Sequence, residues 1–173
     1  KLELTQAQFT DLYAYAHDRG IIFLCTPFDS DSAQFLARLG VAAFKVPSGE
    51  VTNLPFLAEI ASFAKPVIMS TGMGTLDEIT AAVEAIRKTG NNQLALLKCT
   101  SAYPANPAEM NLRTIQDMTS RWEVPAGLSD HTMGHTVAVA AVALGACIIE
   151  KHYTLSRQNP GPDSAFSMEP DEF

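Results

Sequence analysis

Only three cysteines occur in the 173 residues, Cys25, Cys99 and Cys147, and no two share a metal-type spacing. That excludes a disulfide scaffold and a zinc-ribbon or finger architecture. All three sit inside apolar runs, which predicts buried thiols in a reducing, cytoplasmic setting. Positive charge is scarce as well. Twelve Lys and Arg face nineteen Asp and Glu, for a net charge of −7, which excludes a nucleic-acid surface built on clustered cations. An anionic ligand would have to be met by a few cations converging locally. Long hydrophobic runs are missing too. The longest, Val137 to Leu144, falls far short of the roughly 18 apolar residues of a membrane span, and no signal-peptide pattern is found. The first residue is Lys1, and the last stretch, "SMEPDEF", reads as a helix beginning. Both suggest a piece of a longer protein.

What is present is a rhythm. Six short apolar runs, "GIIFLCTPF", "AAFKVPSGE", "KPVIMSTGM", "LALLKCTSAYP", "VPAGLSDHT" and "ACIIEKHYT", each end in polar or glycine-rich residues and are followed by a helix-like stretch. Runs this short and rich in Val, Ile, Leu and Phe predict strands of a parallel sheet buried on both faces. Thr5 with Gln8 and Thr75 with Glu78 form capping boxes. Pro55 suits a first helical turn. "TVAVAAVALG" is apolar all round and predicts a well-buried helix ended by Gly145. The runs recur at about the length of a βα unit.

Six units in strict alternation fit an open doubly wound sheet or part of an eight-stranded barrel. The strand ends favour the barrel. A doubly wound sheet gathers its chemistry at one switch point. Here every run ends in reactive groups: Thr26; Lys45, Ser48 and Glu50; Ser70 and Thr71; Ser101 and Tyr103; Ser129 and His131; Glu150 and His152. A ring of such ends around one mouth is the arrangement of a TIM (β/α)8 barrel. Six units leave it incomplete, with two strands missing from this chain.

His131 and His152 follow different strands and would share a divalent ion if both face the mouth; otherwise each is a satisfied, hydrogen-bonded imidazole. His17 and His135 read as surface or structural residues. Thr26, Ser48, Ser70 and Ser129 with Lys45 suit a phosphate or carboxylate, or else cap strand ends. The helix after Thr75 could add its N-terminus to such a site. Glu50 is the candidate acid–base group, or an N-cap, or a partner of Lys45. Asp163, in a Pro/Gly-rich loop, is a candidate acceptor for sugar hydroxyls. Tyr103 would stack on a substrate or simply pack.

Taken together, "KVPSGE", "KPVIMSTGM", "KCTSAYP", "GLSDHT", "EKHYT" and "GPDSAFSMEP" resemble the sialic acid (nonulosonate) synthase family from about Phe23 onward. The resemblance implies a metal-dependent condensation of phosphoenolpyruvate with an N-acetylated amino sugar, giving a nine-carbon 2-keto sugar acid and phosphate. It implies a TIM barrel followed by a small antifreeze-like domain that this chain lacks, and a homodimer when full length. By resemblance, His131 and His152 hold Mn2+ or Mg2+, and Thr26, Lys45, Ser48, Ser70, Ser101 and Ser129 cradle phosphoenolpyruvate. Ser101 stands where many sialic acid synthases carry Asn. Tyr103 and Asp163 contact the sugar, and Glu50 matches the family glutamate. "KCTSAYP" and "GPDSAFS" resemble the pseudaminic acid branch, whereas "PSGE" resembles the neuraminic and legionaminic branches; the balance tilts toward pseudaminic acid. Without its first strands the piece alone is expected to be inactive. Two rival readings stand beside the synthase: a metal-dependent aldolase-type barrel, and a truncated barrel that only binds.

Overall fold

The computed structural model describes residues 3–173. Five strands, β1 (Phe44–Val46), β2 (Val67–Ser70), β3 (Leu94–Cys99), β4 (Ala126–Asp130) and β5 (Ile149–Lys151), form one sheet. All four pairings are parallel, and the order in space equals the order in sequence. A doubly wound sheet reverses direction at a switch point. This one never does, so it winds steadily one way, as a barrel must.

Curvature is visible in a single contact. Lys45 on β1 reaches Glu150 on β5, with Nζ and Oε2 3.3 Å apart. In a flat sheet these strands would lie about 19 Å apart, four spacings of ~4.8 Å. Two side chains cannot close that gap unless the sheet curls with both on its concave face. The chain is the incomplete barrel expected from its strand ends.

Alternation assigns the two faces. Phe44, Val46, Val67, Met69, Leu94, Leu96, Ala126 and Leu128 share one face and join a single apolar cluster with residues of the helices. Each fully buried Leu, Ile, Val or Phe contributes about 1.5–3 kcal/mol, so this layer dominates stability. The helices present matching stripes. In α4 (Leu76–Lys88), Ile79, Ala82, Val83 and Ile86 are buried. The other helices are α1 (Gln6–Asp18), α2 (Ser30–Leu39), α3 (Leu54–Ser62), α5 (Thr114–Trp122) and α6 (Thr136–Ala143). Both capping boxes form, at Thr5 and Thr75. Pro55 lies in the first turn of α3. Gly145, at φ 97°, ends α6 in the left-handed conformation that glycine adopts without strain.

Three expectations are corrected. The run "GIIFLCTPF" is not a sixth strand: residues 21–27 adopt no regular structure. Strand geometry needs a partner's backbone, and no backbone hydrogen bond ties this segment to β1 among the described residues; Ile21 and Ile22 stay exposed. Helix α6 is not well buried. Only Val137 and Ala141 face the sheet, while Val139 and Val142 point outward with no element packed over them among the described residues. The cysteines are not all buried either: Cys147 is exposed, and Cys25 and Cys99 are intermediate.

Candidate active site at the strand C-termini

The concave face carries the other half of each alternation. Toward its C-terminal rim it presents Lys45, Ser70, Cys99, Ser129 and Glu150, one from each strand in turn. The register explains why they meet. Cys99 pairs with Ser129, and Ser129 with Glu150. With Thr26, Ser48, Ser101, Tyr103, His131 and His152 they line one open cavity of about 590 Å³. All six residues expected to cradle the anion are brought together, as are both histidines and Tyr103.

The hydroxyls are oriented. Ser48 Oγ accepts from the Gly72 N–H at 2.8 Å, which turns its own proton toward the cavity, where Cys99 or a ligand can accept it. Ser70 Oγ accepts from Lys45 Nζ at 3.0 Å, leaving its own proton for a ligand. Gly72 has no room for a side chain, because a Cβ there would lie 2.4 Å from Ser101 Oγ and 2.9 Å from Ser48 Oγ. The backbone thus passes close beneath the cluster of hydroxyls.

The His131 and His152 rings are 5.3 Å apart, centroid to centroid. His131 Nδ1 is 2.9 Å from the Thr100 carbonyl. A carbonyl only accepts, so Nδ1 carries a proton, and Nε2 is the nitrogen that can present a lone pair once the ring is neutral. Tyr103 leans over His131 at 4.2 Å between centroids. The two imidazoles are electrostatically unlike. Burial pushes His131 down, but a hydrogen bond with Cys99, the Thr100 carbonyl and the charges of Cys99 and Glu150 outweigh it, and its pKa is raised. Burial and the neighbouring His131 lower His152, against the pull of Asp163 and Glu150. Burial likewise raises the Cys99 thiol, yet hydrogen bonds from His131, Ser48 and Ser101 bring it down to about 7.

Behind the rim lies a buried ion pair. Lys151 Nζ sits 2.8 Å from Asp130 Oδ2, with the side chains 5% and 0% exposed. The same ammonium donates to the Thr132 carbonyl, and Asp130 Oδ1 accepts from the Thr132 amide and hydroxyl. Each partner directly precedes one of the two histidines, so the pair clamps β4 to β5 where the rings emerge.

Two expected residues do not line the cavity. Glu50 ends a single 3-10 turn, and its carboxylate accepts from Asn53. The carboxylate that meets Lys45 is Glu150, which also accepts from Ser129 Oγ at 2.7 Å. Asp163 lies at the edge, its Oδ2 3.5 Å from His152 Nδ1. The N-terminus of α4 is closed as an anion site, since Glu78 already occupies it through the Thr75 amide. Glu150 was legible as a strand end. Its inward parity, two residues before His152 and opposite Ser129, was the signal that would have picked it over Glu50.

The sequence profile of the NeuB family matches residues 1–173. The chain belongs to the NeuB family. As a NeuB-family chain it is 46% identical over 174 residues to the N,N'-diacetyllegionaminic acid synthase of Campylobacter jejuni, covering 99% of itself and 52% of that protein. It is 39% identical over 164 residues to the pseudaminic acid synthase of the same species, covering 95% and 48%. The crystal structure of the N-acetylneuraminic acid synthetase of Leptospira borgpetersenii superposes with a TM-score of 0.95 at 38% identity, over 98% of this chain and 59% of that one. The chain spans about half the length of the curated relatives it matches.

Proposed function

We propose that the intact protein condenses phosphoenolpyruvate with an N-acetylated amino sugar to give a nonulosonate and inorganic phosphate. The observation that carries this reading is the convergence of Lys45 and five hydroxyls beside two imidazoles in one cavity, in a member of the NeuB family. The 46% identity to a legionaminic acid synthase, against 39% to a pseudaminic acid synthase, favours the legionaminic branch over the pseudaminic one that the motifs alone suggested. Phosphoenolpyruvate is a cytoplasmic metabolite, so the reaction belongs there, and the homodimer of the resemblance remains part of this proposal.

The cavity suits a divalent cation as far as its donors go. Two imidazoles stand close together, and the Thr100 carbonyl accepts the Nδ1 proton of His131, which makes Nε2 its ligating nitrogen once the ring is neutral. Among the described residues no third His, Cys, Asp or Glu completes a cluster, so an ion would fill its shell with substrate and water oxygens. Nitrogen donors favour Mn2+ over Mg2+. Such an ion would supply Lewis-acid polarisation of the open-chain sugar's aldehyde.

The chain's own residues do the rest. Lys45, Ser48 and Ser70 hold the phosphate of phosphoenolpyruvate and neutralise part of its charge, fixing its methylene carbon for attack on the aldehyde. Ser129, Ser101 and Thr26 direct further hydrogen bonds at the same substrate. Water then adds to C2, and C–O cleavage of the hemiketal phosphate releases phosphate. Tyr103 covers His131 and offers its hydroxyl to the sugar, with Asp163 at the rim. Glu50 keeps its proposed role as acceptor of the water's proton only if its turn brings it from outside the cavity to the reacting carbon. Inorganic phosphate should appear only when the intact protein receives phosphoenolpyruvate, an N-acetylated amino sugar and Mn2+ together. Cleavage of a nonulosonate without any phosphate requirement would favour an aldolase-type barrel. Ligand binding with no turnover would favour a binding module.

A further inference from the structure

The charges lining the cavity nearly cancel. Lys45 offers three ammonium protons: it donates to the Val46 carbonyl at 3.2 Å and to Ser70 Oγ at 3.0 Å, and its charge is paired with Glu150 Oε2 at 3.3 Å. The other Glu150 oxygen accepts the Ser129 hydroxyl proton. One carboxylate therefore engages the one lysine that lines the cavity among the described residues and one of its hydroxyls, two of the groups an anion would need. Its position is built in. Glu150 is paired in register with Ser129 on β4 and meets Lys45 only because the sheet curls. Neither the fold's core nor the Asp130–Lys151 clamp uses it.

We propose that Glu150 is a resident counter-ion of the anion subsite, one that occupies Lys45 and Ser129 until a phosphate-bearing ligand displaces it and that sets how tightly such ligands bind. This rests on the reading of the cavity as a phosphate site and adds the group that tunes it. The geometry leads to three consequences. The lysine is held, desolvated and aimed in the absence of ligand, rather than swinging in solvent. A phosphate entering the cavity must take over the contacts of a like-charged group, so affinity is held below what the donors alone would give. A ligand lacking strong negative charge cannot displace Glu150 and is rejected, which makes this carboxylate a specificity-determining residue. Glu150 acts by positioning and by charge, and has no bond-making role in this scheme.

The sign of the test separates this role from a structural one. Glu150→Gln keeps the shape and an acceptor oxygen for Ser129 but removes the charge. Inorganic phosphate binding to the intact protein, without substrate, is followed by calorimetry for wild type, Glu150→Gln and Lys45→Met. The expected result is phosphate affinity about tenfold higher in Glu150→Gln, from one like charge removed at close range, and strongly reduced in Lys45→Met. A purely structural glutamate would give the opposite sign, because its loss would loosen Lys45 and weaken phosphate. Unchanged or weaker binding in Glu150→Gln, with Lys45→Met still defective, overturns the counter-ion and leaves the phosphate site standing. Phosphate bound by none of the three, or bound equally by Lys45→Met, overturns the site and the counter-ion with it.

Discussion

His131 and His152 approach to 5.3 Å between ring centroids, each directly following one of two consecutive strands, with Tyr103 packed against both. Neither ring belongs to the apolar core that holds the sheet to its helices. Replacing His131 with Ala should therefore leave the fold intact and weaken Mn2+ binding at least tenfold, read from the spectrum of free Mn2+ in paramagnetic resonance. Undiminished Mn2+ affinity in that variant would remove the imidazole pair as a metal site.

The clamp behind the rings can be tested by stability. Lys151 and Asp130 are almost wholly buried. Lys151→Met leaves an uncompensated carboxylate in the interior and should cost about 3–5 kcal/mol in urea unfolding. Adding Asp130→Leu removes the orphaned charge and should recover much of that loss. A single variant within 1 kcal/mol of wild type, roughly what an exposed pair is worth, would mean that the pair holds nothing in place.

Gly72 is the point where the backbone touches the hydroxyl cluster. Gly72→Ala would bring a Cβ to 2.4 Å from Ser101 Oγ, 2.9 Å from Ser48 Oγ and 3.0 Å from Cys99 Sγ. Overpacking of this kind costs about 1–3 kcal/mol, and here it falls on anion donors. The Michaelis constant for phosphoenolpyruvate should rise about tenfold, with a smaller loss in turnover. An unchanged constant would show that the cluster is not where the phosphate sits.

Cys99 gives a pH signature of the same cavity. Alkylation follows the thiolate, whose fraction grows as pH rises through the thiol's pKa. With that value near 7, labelling of Cys99 by iodoacetamide should reach half its maximal rate near pH 7. Cys25, pushed up by burial, should lag at the same pH. Peptide mass spectrometry after short pulses reads both. Cys99 labelling only at clearly alkaline pH would contradict its contacts with His131, Ser48 and Ser101.

Much of this was legible in the residues. The apolar runs, the two capping boxes and the polar strand ends announce parallel βα units, and the one-way strand order follows from them. Ser70 and Ser129 are readable as inward because period-two alternation sets them opposite the apolar face. Other features were not readable. Residues 21–27 have the composition of a strand, but composition cannot supply a neighbouring backbone to pair with. Parity marks Glu150 as inward-facing, but its meeting with Lys45 depends on sheet curvature, which joins the first and last strands and leaves no trace in local spacing. Helix α6 misled for a similar reason: an all-round apolar helix predicts burial only if both its faces have neighbours.

The most direct test of the central claim follows carbon. The intact protein is given phosphoenolpyruvate labelled with carbon-13 throughout, Mn2+ and a panel of N-acetylated amino sugars, and the products are weighed by mass spectrometry while phosphate is measured. The account predicts a nine-carbon 2-keto sugar acid carrying every labelled carbon, formed one for one with inorganic phosphate and lost in Lys45→Met. Phosphate released with the label recovered as pyruvate and none in a sugar acid would contradict it.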